Sequence, residues 1–181
     1  MKTEAMDPNA LQKLEEEFDS EVRFRPLLPM TAWVVAGLLF ALSVFHYYTA
    51  GFGLLREATH RGIHMAFVLG LIFLVFPLLK RDHHTLPKAG VLAPGGIALY
   101  DWVLAAGAVV ASLYMPWIYD DLAFRVGNPE PLDVAMASIA IIVLLEATRR
   151  SVGWPLPIIA ITLMIYAMYG QSLPGILAHP G

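Results

Sequence analysis

The chain alternates between polar stretches and long apolar runs that carry little or no charge. The runs cover Met30 to Tyr48, Ile63 to Leu79, Ala98 to Ile118, Leu132 to Thr148 and Pro155 to Tyr169. They approach the ~20 residues that cross a ~30 Å hydrocarbon core at about 1.5 Å per residue. Lipid offers no partners for backbone polar groups, so such runs must be helices. The pattern predicts an all-α, polytopic membrane protein with about five transmembrane helices. Residues 1–29 form an amphipathic arm, 30–170 the transmembrane domain and 171–181 a Gly/Pro-rich tail. The last two runs are on the short side for a full crossing, and a helical hairpin of unequal depth is the alternative for them.

The polar stretches refine this picture. In the arm, Asp7 is placed to cap a helix with Pro8 at its first position. Leu11, Leu14, Phe18 and Val22 then recur at helical spacing. The stripe suits a helix lying on the membrane surface, although Glu15, Glu16 and Glu17 oppose anionic lipid. Phe45, Tyr47 and Tyr48 form an aromatic belt in which His46 reads as solvated. Asp82, His83 and His84 lack the spaced partners of a metal site and read as a solvated loop. Trp33, Trp102, Trp117 and Trp154 sit near run ends, where indoles favour the interface. Asp101 falls in the first turn of the third run, where the helix dipole favours an anion.

Composition agrees with the pattern. The 181 residues are 57% hydrophobic and 15% charged, against roughly 45–50% and about 25% in soluble domains. There is no cysteine, which removes disulfide and thiol chemistry. A net charge of -3 gives no footprint for nucleic acid. A Walker A loop, an HExxH pattern and a Ser/His/Asp set are all missing, so the chain reads as neither an ATPase nor another enzyme. No cofactor is expected in this chain.

Orientation follows Lys and Arg in short loops. Arg23, Arg25, Lys80, Arg81, Lys88, Arg149 and Arg150 fall on one side, and Arg56, Arg61 and Arg125 on the other. This predicts a cytoplasmic N-terminus, five crossings and an external C-terminus. Arg149 and Arg150 then stop the fourth run, with guanidinium groups free to reach lipid phosphate. Glu146 lies three and four residues before them, within reach of either across one helical turn. It reads as a local ion pair or as a contact with another helix or subunit.

"ALYDWVLAAGAVVASLY", together with "LLEATRR", "GWPLPIIA" and "LPGILAH" in that order, resembles the N-terminal portion of TRAP transporter permeases, the tripartite ATP-independent periplasmic family. Within it the chain looks most like the TAXI type, where small and large membrane parts are fused. The likeness is strongest from Tyr100 to Gly181. It implies a scaffold role in the bacterial inner membrane, beside a large elevator-type membrane part and a periplasmic substrate-binding protein. It also implies sodium as the coupling ion of the whole transporter, taking up organic acid-like solutes. The glycine-rich hairpins that hold sodium and substrate in that family have no counterpart here, so no substrate ligand is assigned. Interface candidates are Glu146, Arg149, Arg150, Trp33, Asp101, Trp102, Trp117 and Trp154, with membrane lipid around them. An assembly or interaction protein unrelated to transport is the alternative.

Overall fold

A computed structural model describes residues 24–53, 55–78, 90, 92–122, 124–125 and 127–172. The expected arm helix, the Asp82/His83/His84 loop and residues 173–181 of the tail lie outside these. The described residues form five long helices and no strand: α1 (Pro29–Gly51), α2 (Glu57–Val75), α3 (Leu99–Leu122), α4 (Pro131–Ser151) and α5 (Pro155–Tyr169). All five are long and apolar enough to cross a membrane. A 3-10 turn, Gly170–Ser172, carries α5 to 18 residues, about 27 Å at the α-helical rise. Length and hydropathy therefore suffice for a crossing in both of the runs that read as short.

Local chemistry sets the ends. Pro29, Pro131 and Pro155 occupy first helical positions, where the missing N–H costs nothing. The Asp133 carboxylate accepts the Glu130 N–H at 2.8 Å, fixing the start of α4. Gly153, at φ 105°, closes α4 by donating to the Thr148 carbonyl at 3.3 Å. α2 begins six residues earlier than Ile63, because Glu57–Gly62 is helical although polar. An i,i+4 ion pair between Glu57 and Arg61 supports that turn.

α2 is the central element: 39% of its span is buried, against 22% in α3 and 11% in α1, α4 and α5. Its closest neighbour is α3. Gly62, Ala66 and Gly70 stand every fourth residue on the buried face of α2, and Ala105, Ala108 and Ala111 are buried on α3. Small residues let backbones approach where lipid supplies no hydrophobic drive. The seat is tightest at Pro116, inside α3. Proline cannot donate to the carbonyl four residues back, which here belongs to Ser112. A Cβ on Gly62 would lie 2.4 Å from Pro116 Cγ and 2.7 Å from that Ser112 oxygen. Only glycine fits against the bare carbonyl and the proline ring. Leu69, Leu74, Phe73, Ile97, Val143 and Ala147 complete a core gathered toward one end of the bundle. Most other large apolar side chains, including Phe40, Val103, Ile142 and Leu163, face outward. That arrangement suits a lipid solvent.

Candidate functional site

The core end of the bundle holds a cluster of charges. Asp101, in the first turn of α3, is fully buried. Its Oδ1 accepts from Arg150 Nη1 at 2.6 Å, and its Oδ2 from Arg25 Nη2. Arg25 belongs to the extended segment before α1, and its N–H donates to the Val75 carbonyl at 2.8 Å. Arg150 Nη1 also reaches the Phe76 carbonyl at 3.2 Å, and the guanidinium lies 5.0 Å from the Phe73 ring centroid. Arg150 Nε donates to Glu146 Oε1 at 2.7 Å. Arg149 closes on the same carboxylate through Nε at 2.7 Å and Nη2 at 2.8 Å, and it stacks on Trp154 at 5.5 Å.

One buried carboxylate thus ties together the entry to α1, the exit of α2, the start of α3 and the end of α4. A buried charge is tolerated only when paired and hydrogen-bonded. Asp101 is served by two guanidinium groups, and charge-assisted bonds of this kind are the stronger sort. The cluster fixes geometry.

The sequence-derived candidates divide accordingly. Glu146, Arg149 and Arg150 come together as expected, and the Glu146 bonds are local. Arg150 departs from expectation: its side chain is 1% exposed and turned into the bundle, so it does not reach for lipid phosphate. The pull of buried Asp101 outweighs snorkelling. Asp101 likewise serves as the hub of a cross-helix cluster, and its part exceeds that of a dipole-matched anion. Trp33, Trp117 and Trp154 are exposed. Trp102 instead packs on the core, with Nε1 3.3 Å from the Pro94 carbonyl.

Arg25 was legible only as a loop cation. The signal for its role was parity: the start of the first run, the start of the third and the end of the fourth must share a membrane face. Two opposite charges there can meet.

The far end of the bundle carries separate ties. His46 Nε2 and His64 Nδ1 lie 2.9 Å apart, joining α1 to α2, so His46 is engaged where the sequence suggested a solvated ring. The His60 ring is 5.5 Å from that of His46. Among the described residues, no three His, Asp or Glu side chains are grouped to hold a metal ion. Arg56 Nη1 donates to Asp120 Oδ1 at 2.6 Å, joining α2 to α3. Tyr114 of α3 donates to Asp133 of α4, where Arg125 also pairs with Asp133 and Glu130. Pairing with Glu130, foremost, holds the Arg125 pKa above its ordinary value.

Fold and site together define a multi-pass, all-helical membrane protein whose bundle is cross-tied at both ends. No protein-family model, curated protein or solved structure matches the chain.

Proposed function

We propose that the chain is the scaffold part of a TRAP-type secondary transporter in the bacterial inner membrane, with its N-terminus cytoplasmic. In this reading it braces a large membrane part that takes up organic acid-like solutes with sodium, delivered by a periplasmic binding protein. The supporting observation is the Asp101 hub. A moving transport domain needs a rigid raft to work against, and a carboxylate shared by four structural elements makes α1 to α4 rigid at one end. The residues that carry the family resemblance include two members of that hub, Asp101 in "YDW" and Arg150 in "LLEATRR". Nearly all of α5 is exposed; of its residues only Pro157 is buried, which suits a helix that leads toward a partner. The cationic flank at the hub end supports a cytoplasmic placement.

Purification of the tagged chain from its native host in mild detergent, with mass spectrometry of what accompanies it, tests the reading. A large co-purifying permease, or the tag on one much longer polypeptide, is the expected result. A chain that elutes alone or with unrelated membrane proteins overturns it. Since the sequence has no cysteine, single cysteines at Phe24 and Gly127 report orientation through impermeant thiol reagents. Labelling of position 24 in intact spheroplasts would reverse the proposed topology.

A further inference from the structure

Between α3 and the start of α4, at the far end from Asp101, lies an open groove of about 750 Å³. That volume is within the roughly 300–1,000 Å³ of small-molecule sites. Its wall is apolar, built from Val110, Leu113, Trp117 and Leu132. Asp121, Arg125 and Glu130 line it at the mouth. From Val110 to Asp121 the helix rises about 16 Å, close to half of a ~30 Å hydrocarbon core. The groove therefore has the length of one leaflet. Its mouth lies beside Trp117 and Phe124, which are 89% and 93% exposed. Such aromatic residues favour the headgroup level.

Charge at the mouth narrows the occupant. Arg125 is engaged by Glu130 and Asp133, and Asp121 has no ion pair among the described residues. Asp120 is matched elsewhere, by Arg56. Asp121 and Glu130 line the mouth with one guanidinium, whose charge is shared with Asp133 behind it, and this leaves the mouth negative. An anionic headgroup is repelled there, and a quaternary ammonium brings charge without N–H donors.

We propose that this groove holds one phospholipid with a primary-amine headgroup. An acyl chain lies along Val110, Leu113 and Trp117, and the ammonium group donates to Asp121 and Glu130. The phosphodiester faces Arg125. Such a lipid is a built-in part of the α3–α4 interface on this leaflet, distinct from the exchanging lipid around the other helices.

The test is native mass spectrometry of the full chain, delipidated in mild detergent and offered equal amounts of phosphatidylethanolamine, phosphatidylglycerol and phosphatidylcholine. One phosphatidylethanolamine retained about tenfold over the other two is the expected result. Asp121→Asn should reduce that preference about tenfold with an unchanged melting temperature, since Asp121 is exposed and unpaired. Leu113→Trp should fill the groove and abolish retention. Equal retention of all three lipids, or a preference that Asp121→Asn leaves intact, overturns the proposal. So does a photo-crosslink from position 113 to another membrane protein in native membranes, which would make the groove a helix-docking surface. Should Leu113→Trp fail to fold, the Asp121→Asn comparison decides alone.

Discussion

Arg150 Nη1 donates to Asp101 Oδ1 at 2.6 Å across 49 positions of sequence, and both side chains are almost wholly buried. The bond joins the last turn of α4 to the first turn of α3 and draws the exit of α2 in with it. Removing Asp101 leaves buried Arg25 without a counter-ion, and removing Arg150 leaves buried Asp101 with one donor side chain in place of two. The expected penalty exceeds that of any surface ion pair in the molecule.

Asp101→Asn keeps the shape and removes the charge that Arg25 and Arg150 share. Arg25 is then left buried without a counter-ion and Arg150 keeps only Glu146, so stability should fall by about 3–5 kcal/mol. Unfolding followed by tryptophan fluorescence in detergent measures the loss. The double variant Asp101→Asn with Arg150→Met should cost less than the sum of the singles, because the two changes share one interaction.

Arg149→Ala and Arg150→Ala test the division between neighbours. Arg149 is partly exposed and Glu146 keeps Arg150, so its loss should cost under about 1 kcal/mol. Loss of Arg150 should cost several times more, because Asp101 and Glu146 both lose a donor. Equal effects from the two substitutions would contradict the buried placement of Arg150.

Gly62→Ala drives a methyl group toward the Pro116 ring and the Ser112 carbonyl. Overpacking of this kind costs about 1–3 kcal/mol. Pro116→Ala restores an N–H for Ser112 and removes the ring. In that background Gly62→Ala should be markedly milder, read as the difference in unfolding midpoint. An unchanged penalty would place the clash elsewhere.

His46→Ala removes the polar tie between the last part of α1 and α2. A single bond of this sort is worth about 1 kcal/mol, so global stability should change little. Hydrogen exchange should nevertheless quicken in the last turns of α1, from Phe45 to Gly51, and stay unchanged around Asp101.

The sequence by itself determined the number and type of the elements. Five apolar runs near membrane length leave the helix as the only way to satisfy the backbone in lipid, and the helices follow four of the five runs closely. Helical length was misread at α2, where Glu57 to Gly62 are polar yet helical; an i,i+4 ion pair and the water-facing end of a span allow that. Charge at the helix ends was legible too: Glu146, Arg149 and Arg150 stand within one turn, and local spacing is enough to pair them. Only the tertiary structure decided which charges go inside. Arg150 looks from sequence like its neighbour Arg149, and Arg25 reads as one loop cation among several. Arg150 and Arg25 turn inward because α3 places Asp101 in the bundle interior, beside both. The close seat of Gly62 on Pro116 and the His46–His64 tie were likewise settled by packing. Contacts across helices depend on rotation about each helix axis, which an apolar run facing lipid on several sides does not encode in its periodicity.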